Sequence, residues 1–470
     1  MAERPHVDFD RHSPSHRDDF VGITEDLHSR CPVAFNDTYD GHWYVSGYDE
    51  VFEIARRAGA LSSDHDVLGV RKGYRGIGVP RQAEFQAGFL EMDPPDQKDY
   101  RQALNAYLSP AAVERWRPMV EDLTRACLDE RIETGTIDVV DDLANIVPAV
   151  FTMAMMGLPL TDWVHYCEPA HASVYTPPHS PDIERVRTMA MDMFIRLMSA
   201  VVDVRDHPRP GLVDALVTTP IGGRTPSDAE LAGNLFLLIG GGFDTTTSLT
   251  ANALDWLADH PAERDRLRTE GGHLLDTATE EFLRYFTPAP GDGRTVAEAC
   301  ALGGQELHEG ERLWLSWAMA NRDPSVFPDP NTIHLDRKMN RHTSFGLGVH
   351  RCIGSNVARL TFKTMLSEVL ERMPDFECDA ASTVYYESVG VINGVQHLPA
   401  RFDPGQRSGP GLDATIAHWQ ASINEQGVRP TRHRVRGGTR HISRDTSVSC
   451  GRRFRRPCYR TRSQRRPPSR

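Results

Sequence analysis

Apolar positions recur with a helical period over most of this chain and alternate only in short stretches. Residues 42–46 (His-Trp-Tyr-Val-Ser) predict a strand, and after Gly47 the pattern predicts a helix over 48–58. Residues 64–89 mix Gly with basic and apolar residues, predicting a long loop with short turns. Asp93-Pro94-Pro95 predicts a helix start, since Pro is tolerated in a first turn, and the helix runs to Leu108. Helical periodicity dominates from there to Arg205. Ser227 followed by Glu230 is a capping-box pattern at the head of a long run to about residue 260, a helix of roughly 50 Å. Further helices are predicted at 353–370 and 412–425, and short strands at 311–317 and 376–378. The expectation is a mainly α fold with a minor β part. A mobile arm is expected at 1–20, one body at 21–405 and a C-terminal helix within 406–427.

Charge changes this picture at one end. The chain has 470 residues and a net charge of −12, but 428–470 holds 15 Arg against one acidic residue, Asp445. That stretch is poor in apolar residues and is expected to be disordered, because it has too little surface to bury to offset ordering entropy. The acidic remainder argues against a nucleic-acid partner. Eight widely spaced cysteines, with no C-x-x-C pair, form neither a disulfide framework nor a zinc site and suit a reducing compartment. The first 20 residues are polar, with no apolar signal region. The longest apolar run, 231–243, is interrupted by Asn234 and falls short of the ~20 residues that span a bilayer. A cytoplasmic monomer without membrane attachment is expected.

Two places do not read as plain core. One is Ser344-Phe345-Gly346-Leu347-Gly348-Val349-His350-Arg351-Cys352-Ile353-Gly354, a glycine-framed loop carrying one cysteine to the start of a helix. Helix N-terminal N–H groups and cationic neighbours stabilise a thiolate there. Gly348 and Gly354 permit close approach of backbone to the sulfur or to a flat ligand. The other is Gly240-Gly241-Gly242-Phe243-Asp244-Thr245-Thr246-Thr247, inside the long helix. Each interior Gly costs about 1 kcal/mol relative to Ala, so such a run is kept where something must approach the backbone. A Thr245 hydroxyl bonded to the Gly241 carbonyl would bend the helix and open its ladder.

These two runs, Glu281-x-x-Arg284, and the segment Asn321-Arg322-Asp323-Pro324 with Phe327-Pro328-Asp329-Pro330 follow one another in a familiar order. Over residues 42–402 the chain resembles the cytochrome P-450 family of haem-thiolate monooxygenases, in its bacterial type without an anchor helix. The resemblance implies the cytochrome P-450 fold, with haem b held non-covalently between the long distal helix and the cysteine loop. Cys352 would be the axial ligand, pushing electron density onto the iron, in a loop shaped by Phe345, Gly346 and Gly354. Gly241 would lie over the haem, with Asp244 and Thr245 delivering protons. Arg101, Arg294 and His350 fall where propionate partners are expected; Gln97 stands where many relatives have His. Glu281 and Arg284 would support folding, with Arg337 or His334 as a third member.

The resemblance further places the 64–92 loop, Leu237, Gly241, Thr245, Pro288, Ala289, Val391 and Ile392 around a largely apolar pocket, implying a lipophilic substrate. Tyr385, Tyr386 and Asn393 would add polar handles. The implied reaction inserts one atom of O2 into a C–H bond and reduces the other to water. Electrons would come from NAD(P)H through a ferredoxin and ferredoxin reductase, docking on Arg337, Lys338, Arg341 and Arg351. A peroxide-driven or rearranging haem-thiolate enzyme and a non-catalytic haem sensor are the other classes; neither needs the Asp244–Thr245 pair.

Overall fold

The helical period is realised in α1 (Asp96–Leu108), α2 (Arg117–Asp129), α3 (Ile146–Met156), α4 (Trp163–Tyr175), α5 (Ile183–Asp206), α6 (Asp228–Asp259), α7 (Gly272–Phe286), α8 (Ser355–Arg372) and α9 (Leu412–Gln426). The computed structural model describes residues 4–57, 59–81 and 85–426. The chain divides into units 1–431 and 432–470, and the Arg-rich stretch 428–470 lies outside the described residues.

α6 organises the body. The expected capping box forms: Ser227 Oγ accepts from Glu230 N at 3.2 Å, and Glu230 Oε2 accepts from Ser227 N at 2.8 Å. Leu231, Leu235, Ile239 and Phe243, four residues apart on one face, are fully buried. α6 packs against α3, α4, α5, α7 and α8. A helix enclosed by five others must be apolar on more than one face, which is why its sequence reads as a long apolar run.

The main sheet comprises β1 (His6–Val7), β2 (Val33–Asn36), β3 (His42–Val45), β4 (Leu61–Ser62), β5 (Gly291–Val296) and β6 (Arg312–Ser316), in the order β1-β2-β3-β6-β5-β4. β5 begins Gly-Asp-Gly, which by sequence reads as a turn. Pairing with β6 on one side, where Arg294 faces Leu313, and with β4 on the other makes it a strand.

The mobile-arm expectation for 1–20 is corrected for its described part. β1 pairs in parallel with β2, His6 opposite Phe35. Arg11, His12 and His16 are buried, with the Arg11 guanidinium 3.5 Å from the Trp314 ring centroid and His16 stacked on Phe9. Polar residues hide this anchoring from a hydropathy reading because their planar groups pack on aromatic faces. The predicted C-terminal helix is present as α9 and packs on α2 and α3, Trp419 Nε1 donating to Asp122 at 3.1 Å.

Candidate active site

The cysteine loop is a taut backbone structure. Cys352 N donates to Phe345 O at 2.7 Å, and Gly346 N to Thr343 O at 2.7 Å. Gly346 and Gly348 have φ of +63° and +68°, a region that disfavours side chains. A Cβ on Gly348 would collide with the Ala55 carbonyl. Beyond the loop, α8 starts at Ser355. Cys352 is exposed although protein surrounds it closely enough for burial to push its thiol up; the Gly354 N–H, Arg101, Arg351 and Arg359 pull the other way. The sulfur is therefore accessible, and burial opposes its charge while the Gly354 N–H and the three arginines support it.

Helix α1 grips this loop. Arg101 Nη2 donates to Arg351 O at 2.7 Å, and Gln97 Nε2 to Val349 O at 2.8 Å. Gln97 is buried, and its amide tethers the loop. Arg101, Arg294 and His350 converge from α1, β5 and the loop. Burial, then Arg294 and Arg101, push His350 down to about 3. Its Nδ1 is buried without a protein partner. Arg294 donates to Gly293 O at 2.7 Å and lies 3.7 Å from Asp292. Two cations and an unpaired ring nitrogen beside an accessible sulfur fit the anionic edge and axial position of haem.

The loop's other end hangs on a buried network. Glu281 and Arg284 are fully buried and paired by two bonds of 2.8 Å. Between the two residues left open, Arg337 supplies the side chain, Nε to Glu281 Oε2 at 2.9 Å; His334 contributes only its backbone N–H, at 2.9 Å. Arg284 also donates to the carbonyls of Asn321, Pro330 and Thr332. Asn321, which the sequence marked only as part of a motif, is fully buried and central. It donates to Ser344 Oγ and Thr287 Oγ1 at 2.8 Å and accepts from Thr343 N at 2.7 Å. The predicted redox patch loses Arg337, which is spent on Glu281; Lys338, Arg341 and Arg351 remain exposed.

On α6 the Thr245 hydroxyl donates to Gly241 O at 2.9 Å, as the spacing predicts. The helix nevertheless runs unbroken from Asp228 to Asp259, so the expected opening is not a break in the helix. A Cβ at Gly240 or Gly241 would meet no atom within 4 Å, whereas one at Gly242 would press on Thr152 of α3. The glycine run thus presents one open side and one packed side. Thr245 is half-buried and Asp244 only 1 % exposed, because consecutive residues point about 100° apart. α6 packs on α8, the helix that follows Cys352, and both contribute residues to one hydrophobic core.

The suggested polar handles are otherwise engaged. Tyr386 is buried with its hydroxyl on Asp244 Oδ1 at 2.8 Å. Tyr385 bonds Asp255 at 2.6 Å, and Asn393 bonds Phe286 O at 2.6 Å. Sequence reasoning missed His171 of α4, whose Nδ1 pairs with Asp244 Oδ1. No local pattern announces that pairing, since the partners are far apart in the chain.

The sequence profile of the cytochrome P-450 family matches residues 160–380. The vitamin D3 dihydroxylase of Streptomyces griseolus is 30% identical over 67% of this chain and 77% of its own length. The polyketide-biosynthesis cytochrome P-450 PksS of Bacillus subtilis is 26% identical over 80% and 92%. A Bacillus megaterium cytochrome P-450 solved with testosterone superposes with a TM-score of 0.74 at 27% identity, covering 83% of this chain and all of that one.

Proposed function

This chain belongs to the cytochrome P-450 family, and we propose that it inserts one oxygen atom of O2 into a C–H bond of a lipophilic small molecule, using NAD(P)H electrons relayed by a ferredoxin and its reductase. Family membership makes it a haem-thiolate monooxygenase of small molecules. The observation that supports the finer reading is that the helices carrying the two motifs pack together in one core. An accessible Cys352 is held at the mouth of α8, and α6, packed on α8, keeps Thr245 partly accessible and Asp244 buried beside it. A peroxide-driven enzyme or a sensor has no need of that second feature.

Haem, when bound, supplies the activation of O2 and the oxidising power. Cys352 would hold its iron, with the thiolate charge supported by Arg101, Arg351 and Arg359. Arg101, Arg294 and His350 would bind its propionates. Thr245, whose hydroxyl bonds Gly241 O, would give and receive a proton, and Asp244 would resupply it. Among the described residues no helix is long and apolar enough to cross a membrane, which favours a diffusible electron donor meeting the exposed Lys338, Arg341 and Arg351. The relative named for vitamin D3 and the neighbour solved with testosterone favour a steroid- or terpenoid-like substrate.

The decisive first measurement is the absorption spectrum of reduced, carbon-monoxide-bound protein. A strongly red-shifted band is expected from thiolate-ligated haem, and freshly folded protein lacking it refutes the assignment of Cys352. A steroid and terpenoid panel with ferredoxin, reductase and labelled O2 should then give a product carrying one labelled oxygen. Turnover with peroxide alone and none with NAD(P)H would favour the peroxide-driven class.

A further inference from the structure

Asp244 is held from outside its own helix. Its Oδ1 accepts from the Tyr386 hydroxyl at 2.8 Å and pairs with Nδ1 of His171. Three segments meet there: α4 brings His171, α6 brings Asp244, and the 384–397 hairpin brings Tyr386. All three side chains are buried, and the two carboxylate oxygens are not equivalent. Oδ1 takes both donors, while Oδ2 is buried without a protein partner. His171 Nε2 and Ser248 Oγ are buried in the same condition.

We propose that His171 and Tyr386 are positioning residues for oxygen activation: they fix the orientation of the Asp244 carboxyl through Oδ1 and leave its Oδ2 to exchange protons on the Thr245 side of α6. This rests on α6 being the oxygen-activating face. A buried carboxylate without a cation takes up a proton and stops acting as a base; one paired with a cation stays charged. The titratable groups around the pair are few. α4 contributes His171, Cys167 and, against Tyr386, Tyr175; the hairpin contributes Tyr386; the N-terminal segment brings Arg17, which donates to Tyr386 O at 2.8 Å; α3 places the uncharged Thr152 against neighbouring Gly242.

Burial pulls the His171 imidazolium down, but the hydrogen bond and charge of Asp244, with Cys167, overcome it and push it up to about 10. A raised value means that the cation is present below it and lost as pH rises through it. Burial and the Asp244 charge push the Tyr386 phenol up, so it stays a neutral donor. His171 therefore stays a cation, and Tyr386 a neutral donor, across the neutral range. A merely structural ion pair would tie α4 to α6 but leave proton delivery indifferent to its chemistry.

The test uses the full-length, haem-loaded protein. In the reduced, carbon-monoxide-bound form, which is diamagnetic, the His171 ring resonance is followed by NMR. It should report a charged imidazole from about pH 6 to pH 9, and titration near the ordinary value of about 6.5 overturns the proposal. Peroxide released per NAD(P)H is then measured without substrate, using a [2Fe–2S] ferredoxin and reductase. Wild type should be nearly flat over that pH range. H171L should change about threefold or more across it, because the buried carboxyl then lacks its cation, and H171K should restore the flat profile. Y386F should raise peroxide release at every pH. An H171L profile parallel to wild type, with the fold intact, makes His171 structural only and overturns the proposal. Where H171L fails to fold, the wild-type NMR titration decides. Failure of the haem-thiolate reading is distinguishable, because it removes the red-shifted band from wild type, whereas failure of this proposal leaves that band intact.

Discussion

Replacing Glu281 with Gln tests how the cysteine loop is held. Glu281 accepts five hydrogen bonds: two from Arg284 at 2.8 Å, one each from His334 N and Arg337 Nε at 2.9 Å, and one from Asn340 at 3.1 Å. Burial raises its carboxyl, but Arg284, the His334 N–H and Arg337 overcome that and hold it below the ordinary range. Gln is nearly isosteric, yet it removes the charge facing two arginines and turns an NH2 group toward donors. Arg284 has no exposed surface, so it cannot recover hydration. Breaking a buried pair from one side costs about 3–5 kcal/mol. Unfolding entropy of about 2.1 cal/mol/K per residue over about 420 described residues gives about 0.9 kcal/mol per degree. The thermal midpoint of E281Q should thus fall by about 3–6 °C, read by circular dichroism at two scan rates with haem retention followed in parallel. Because Arg284 also holds the Asn321, Pro330 and Thr332 carbonyls, haem should be lost at a lower temperature as well. A midpoint within about 1 °C of wild type, with haem fully retained, would refute the view that this network supports the loop.

Three further outcomes are expected. T245A should bind haem with the wild-type carbon-monoxide spectrum but release several times more peroxide per NAD(P)H; unchanged coupling would remove Thr245 from proton delivery. Glu280 is bound by Arg359 at 2.6 Å and His342 at 3.0 Å, which outweigh burial and depress it from 4.5 to about 2. A depressed carboxyl contributes stability that is present above the unfolded value and lost as pH falls through the folded one. Melting scans should therefore show wild type losing stability between about pH 5 and pH 2, and E280Q losing less over that window. G348A forces a side chain onto a φ of +68° and against Ala55 O. It should cost about 1–3 kcal/mol and broaden or blue-shift the carbon-monoxide band, whereas G240A, a helix-interior position facing open space, should raise fold stability by about 1 kcal/mol.

Much of this protein is local chemistry and is determined by the sequence alone. The capping box at Ser227, the helix it starts and the Thr245–Gly241 bond depend on residues three or four apart, which the helix geometry brings together without help. The glycine-framed loop around Cys352 is legible for the same reason: positive-φ turns need glycine at fixed positions. What only the tertiary structure decided lies between distant segments. It chose Arg337 over His334 as the side chain facing Glu281, turned Gly291–Val296 into a strand, and folded residues 4–20 onto Trp314. It spent Gln97 on Val349 and surrounded Asp244 with His171 and Tyr386. Those pairings follow from burial, since a polar group enclosed by packed helices must find whichever partner the packing brings within reach. The sequence names the groups that do the chemistry; the packing decides which charges they carry while doing it.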